Sequence, residues 1–174
     1  MPYQIRDLRN LDVNVNYFVA TGLVNYGYTI HRTFNDTRVV SGVYLIDGFP
    51  TEPVDIKAPA VSIEHLYTNE EPFQLGSGKA IRSIFRIDVF ARSDTERDDL
   101  GDLVRSFFNS HMAIYDYNVI WTGGTYQSLG SANFENITMR AVRLDTQTEW
   151  AQHIMSISTD VIFYINSGES LIII

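Results

Sequence analysis

The alternation from Ile81 to Ala91 constrains this chain more than any other feature. Ile81, Phe85, Ile87, Val89 and Ala91 fall on one side of an extended segment, interrupted only by Ser83. Arg82, Arg86 and Asp88, with Ile84 and Phe90, fall on the other. Side chains alternate across a strand, so this period of two describes a half-buried antiparallel strand. A weaker alternation precedes it, with Val61, Ile63, His65 and Tyr67 on one face against Ser62, Glu64 and Leu66. Residues 68–80 between the two segments hold Glu70, Glu71, Pro72, Phe73, Gly76 and Gly78. They read as a polar hairpin loop longer than a tight turn, and so as a contact arm.

The strand runs directly into a helix. Ser93 and Glu96 have the spacing of a capping box, in which each side chain accepts from the other's backbone N–H. Asp94, Glu96, Asp98 and Asp99 place negative charge at the positive end of the helix dipole. Leu100, Leu103, Val104, Phe107 and Phe108 form one apolar stripe over about 94–109. That stripe belongs against the apolar face of the hairpin, and Gly101 within it suits close packing on the sheet. A second stripe, Leu11, Val15, Phe18, Val19 and Leu23, predicts a helix over about 10–26, with Asn10 at its start and Gly27 at its end.

Shorter strands are expected at Tyr28–Phe34, Val39–Ile46, Met112–Tyr117 and Ile137–Leu144, and a long final one at His153–Ile165. Prolines 50, 53 and 59 make 47–60 an extended connection, and the glycines and serines of 122–135 read as a flexible loop. The expected architecture is therefore one α+β domain over 1–174, an α/β sandwich. Its mixed, mainly antiparallel sheet is packed by two helices and carries a long hairpin.

Composition narrows function by exclusion. The chain has 174 residues, 45% of them hydrophobic, which suits a single domain with a real core. Its net charge of −8 disfavours gripping nucleic acid by the phosphates. There is no cysteine, so disulfide and thiolate chemistry are out. The N-terminal stretch lacks an apolar signal core and no run reaches membrane length, so synthesis and assembly in the cytoplasm are expected.

Motifs that might carry chemistry fail on spacing. Gly76-Ser77-Gly78-Lys79 lacks the upstream glycine and the hydroxyl residue of a phosphate-binding loop, since Phe73 and Ala80 stand there. The histidines at 31, 65, 111 and 153 match no metal-ligand spacing, and His65 and His153 read as hydrogen-bonded structural residues. Asp94, Glu96, Asp98, Asp99 and Asp102 could attract a divalent cation, but capping and solvation explain them better. Arg82, Arg86 and Asp88 read as a binding surface, as the exposed side of a sheet, or as salt bridges across a subunit contact. No enzyme is expected, and no cofactor.

The tail Leu171-Ile172-Ile173-Ile174 is an adhesive end that either pairs with its own sheet or docks on a neighbouring copy. Candidate subunit or partner contacts are thus Glu70, Glu71, Phe73, Arg82, Arg86 and Leu171 to Ile174.

The order of elements resembles the tail terminator proteins of tailed bacteriophages, lambda-type and contractile-tail members, and related tail-completion and neck proteins. The resemblance rests on PAVSIEHLY (59–67), on SIFRIDVFARSDTERDDLGDLVRSFF (83–108) and on the IYDYN segment that follows. It implies a virion protein assembled in the host cytoplasm, forming a homohexameric ring. Such a ring caps the tail tube, stops its polymerisation and meets the head–neck connector, and a sheath protein where the tail contracts. DNA crosses the central hole without specific binding, and an acidic ring would repel its phosphates. Another neck or head–tail joining protein is the nearest alternative, and a non-viral soluble binding domain a more distant one.

Overall fold

A computed structural model describes residues 3–32, 40–50, 58–72, 79–116, 128–143 and 153–165. The elements in chain order are α1 (Tyr3–Asn25), β1 (Thr29–His31), β2 (Gly42–Asp47), β3 (Ala60–Pro72), β4 (Lys79–Phe90), α2 (Asp94–Phe107), β5 (Met112–Tyr115), β6 (Ser128–Val142) and β7 (Ile154–Ile165). The seven strands form one sheet in the order β1-β2-β3-β4-β7-β6-β5. The β1–β2 and β2–β3 pairs are parallel, and all others are antiparallel. The fold is α+β, with a mixed and mainly antiparallel sheet.

Both helices cover one face. Leu11, Val15, Val19 and Leu23 of α1 and Leu100, Val104 and Phe107 of α2 share a core with Ile81, Phe85, Ile87 and Val89 of β4 and Met155, Ile157 and Val161 of β7. Each such side chain contributes roughly 1.5–3 kcal/mol gross on burial. The alternation of β4 therefore fixes which face the helices occupy. On the far face Tyr44, Ala60, Phe90 and Ile154 form a second, smaller cluster.

Helix α2 is built as its sequence indicates, with one change. Ser93 is the N-cap and its Oγ accepts from Glu96 N–H at 3.2 Å. The Glu96 carboxylate, however, accepts from the N–H of Arg92, not of Ser93, at 2.7 Å. It also holds the Arg92 side chain, so ion pairing draws it one residue further back. Helix α1 begins well before Asn10. Its first residue is Tyr3, and Asn10 lies buried within it. At the other end Gly27 has φ +89°, with Gly27 N–H bonded to Val24 C=O and Tyr28 N–H to Leu23 C=O. This is the Schellman closure that favours glycine.

The hairpin differs from its sequence reading. Residues 68–72 and 79–80 are paired strand, with Pro72 opposite Lys79, so only 73–78 separate β3 from β4. Leu66 is the extra residue of a bulge between His65 and Tyr67, and the bulge inverts the alternation. Tyr67 consequently leaves the face of His65, and Thr68 joins it, where its Oγ1 meets Ser83 Oγ at 2.7 Å. Strand β6 likewise occupies much of the stretch that reads as loop. Glu135 lies opposite Asp160 and Thr138 opposite Ser158, so two residues face one, and Asn136 takes φ +51°. Phe134 before this bulge and Met139 after it thus both reach the helix side.

Two glycines set the helix positions. A Cβ on Gly101 would lie 2.9 Å from Met155 Cγ and 3.3 Å from its Cβ, and one on Gly22 within 2.7–2.9 Å of the Phe107 ring. Alanine at 101 favours the isolated helix by about 1 kcal/mol, but here it must push α2 off β7. Gly101→Ala is expected to destabilise the protein by about 1–3 kcal/mol in urea unfolding. Unchanged or raised stability would show that α2 does not depend on that close approach.

Candidate functional site

The two candidate arginines lie on the far face and are engaged within their own subunit. Arg82 reaches Asp160 at 2.7 Å and Glu135 at 3.4 Å, and Asn136 donates to the same Asp160 oxygen at 2.8 Å. Arg86 pairs with Glu64 at 2.5 Å and lies 3.1 Å from Asp88, while its guanidinium stacks 5.0 Å from the centre of the Phe49 ring. The structure shows ion pairing within the subunit, an arrangement that none of the three readings of this face named. Cross-strand register explains it, because Glu64 stands directly opposite Arg86.

Glu70 is exposed on β3 opposite Ile81, and Glu71 pairs with Ala80. Phe73 and Leu171 to Ile174 lie outside the described residues. Sequence reasoning missed what surrounds the arm. Leu66, Tyr67 and Tyr164 are about half exposed, and by register the two tyrosines share the far face with Arg82. The parity change at Leu66 is invisible in the sequence, so Tyr67 could not be placed there.

The remaining chemistry-bearing residues hold elements together. His65 lies 3.1 Å from Asp12 of α1 through Nδ1 and 2.8 Å from Thr68 through Nε2, and it stacks on Phe85 at 4.8 Å. His153 Nδ1 meets Asp94 at 2.9 Å, tying the start of α2 to β7. That hydrogen bond first, and Arg97 after it, hold the Asp94 carboxyl below its usual pKa. Arg97 bridges Asp94 and Asp98, while Asp99 and Asp102 face solvent. Among the described residues no three acidic or histidine side chains converge as a metal site would need.

An open cleft of about 780 Å³ lies between α1, the end of β2 and β3. Val13, Ile63 and Phe85 give it an apolar lining, and Asp12, Asn16, Arg32, Asp47 and His65 a polar one. Asn16 connects the two sides, accepting from Arg32 at 2.8 Å and donating to Asp47. No single sequence motif predicts this cleft, because its residues come from five separate segments.

No protein-family model matches the chain, and no characterised protein matches it in sequence.

Burial decides the behaviour of Asp88. Only 3% exposed, it has its pKa raised by desolvation, which outweighs the Ser156 hydrogen bond and the fields of Arg86 and Arg140. The unfolded chain therefore ionises first as pH rises. Stability from this group falls between the ordinary value of 3.8 and the raised one, then levels off. Asp88→Asn is expected to gain on the wild type across that rise and to be at least as stable at pH 7, read from melting curves. A variant that loses ground with rising pH would show that its ion pairs dominate.

Proposed function

We propose that this chain is a ring-forming structural protein of a tailed bacteriophage, a tail terminator. In this role it caps the tail tube, halts tube growth and presents its other face to the head–neck connector. The observation that carries the reading is the continuous ladder of β3, β4 and β7. Strand β4 is paired on both sides along its whole length, from Lys79 to Phe90. A hairpin that is backed by a third strand is stiff, and exposed aromatic residues on a stiff surface are favoured contact anchors. Tyr67 and Tyr164 are such anchors, while Glu70 is exposed on the opposite face of β3 by register. The acidic balance of the chain fits a ring through which DNA slides rather than binds.

A ring closed by head-to-tail contacts needs two different complementary patches on each subunit. The sheet supplies two distinct edges, one at β1 and the other at β5 and β6. A neck or head–tail joining role would use the same surfaces with another partner. The cleft beside α1 favours a different reading, a binding domain for a small molecule or a peptide, because its polar groups converge over an apolar floor.

Electron microscopy of the purified protein separates these readings. Closed rings with a central hole wide enough for duplex DNA are expected, and the rings should cap tubes when mixed with the tail-tube protein. Single particles of one subunit at high concentration would reject the terminator role and favour the binding domain.

A further inference from the structure

The sheet treats its edges unequally. Strand β1 limits exposure by its length of three residues. Strand β5 is covered in part by α1, because the Asn14 carboxamide accepts from Tyr115 N–H at 2.8 Å and donates to Tyr115 C=O at 2.9 Å. Among the described residues, strand β6 has no such cover over its second half. Strand β5 pairs only with residues 128–132, and among the described residues nothing pairs with the outer side of Thr138–Val142. Thr138, Arg140 and Ala141 are exposed there. The bulge at Asn136 separates this open segment from the covered one. An unprotected edge directs alternate N–H and C=O groups outward as a template for another strand.

We propose that this edge, Thr138 to Val142, receives Leu171–Ile174 of a second copy of the chain as an added β-strand. The segment suits the role, since three of its four residues are β-branched isoleucines. Main-chain hydrogen bonds supply such an addition with affinity, and alternate side chains supply specificity. On the helix side the added strand would lie beside Ala141 and the half-buried Met139.

Covalent reach decides between the same copy and another. Thr138 stands opposite Ser158, seven residues back along β7 from Ile165. At about 3.3 Å per residue that is roughly 23 Å along the sheet. A further ~10 Å sideways is needed to cross β6, at ~4.8 Å per strand. Leu171 is six residues beyond Ile165, a reach of at most ~22 Å. Within one subunit Leu171 therefore falls short of Thr138. Ile174, with a reach of at most ~32 Å, falls short of Val142, which stands opposite Ile154 and so roughly 36 Å along the sheet from Ile165. The subunit's own tail can touch only the start of Thr138–Val142 at full extension, whereas a neighbour's can pair along all of it.

The proposal rests on the ring reading for the presence of a neighbour, and its test distinguishes the two. The chain has no cysteine, so introduced ones report without background. Copies bearing Thr138→Cys, Arg140→Cys or Ala141→Cys are co-expressed with size-tagged copies bearing Ile172→Cys or Ile173→Cys, then mildly oxidised. Expected is a mixed disulfide dimer holding most of the protein for at least one pairing, together with a smaller assembly on sizing when 171–174 are deleted. An intact oligomer with no mixed disulfide in any pairing would overturn this docking and leave the ring. A monomer would overturn both. An intramolecular disulfide in a doubly substituted chain, with no mixed product, would place the tail on its own subunit and also overturn the proposal.

Discussion

The structure depends on the double pairing of β4. All twelve residues of this strand have partners on both sides, β3 on one and β7 on the other. A strand held in this way leaves no main-chain polar group to be satisfied elsewhere, so its backbone can be buried at low cost. Its side chains then divide the molecule. Ile81, Phe85, Ile87 and Val89 demand an apolar cover, and α1 and α2 provide it. Arg82, Arg86 and Asp88 demand polar partners, and β3, β6 and β7 bring Glu64, Glu135, Ser156 and Asp160 to them.

The same constraint explains where the fold departs from regularity. Bulges at Leu66 and at Asn136 shift the register by one residue; the second lets Phe134 and Met139 on either side of it both find the covered face, and the first turns Tyr67 to the far face. The Leu66 bulge brings Thr68 to His65 and Ser83, and His65 reaches Asp12 on α1. The Asn136 bulge brings its carboxamide to Asp160, beside Arg82. Both irregularities thus feed polar networks that link the arm end of the sheet to its body. That end keeps a defined shape while Tyr67 and Tyr164 remain exposed, which is what a contact surface between subunits requires.

Much of this was legible where local chemistry and tertiary environment agree. The alternation of β4, the capped helix α2 and the Gly27 stop of α1 each depend on residues near in sequence, and each lies close to where the pattern places it. The long ladder of the hairpin and the first half of β6 were not legible. Thr68 to Pro72 and Ser128 to Glu135 are polar or glycine-containing, and their strand state comes from cross-strand partners, residues 79–83 for the first and strands β5 and β7 for the second. Bulges compound this, because one extra residue cancels the period of two on which the reading relies. The site shows the same division. Arg82, Arg86 and Asp88 stand on one face as alternation requires, but the Arg82 partners Glu135 and Asp160 belong to strands over fifty residues away. The cleft beside α1 joins five separate segments and left no local trace.

Assembly by a stiff surface requires that the arm end of the ladder be as firmly held as the core. Native-state hydrogen exchange on the dilute protein tests this most directly, residue by residue along β4 and β7. The account predicts that amides of 80–84 and 160–164 exchange as slowly as those of 85–90 and 154–158, as members of one cooperative unit. Fast exchange confined to the arm end would make it a loose flap, and would contradict a rigid contact surface as the basis of function.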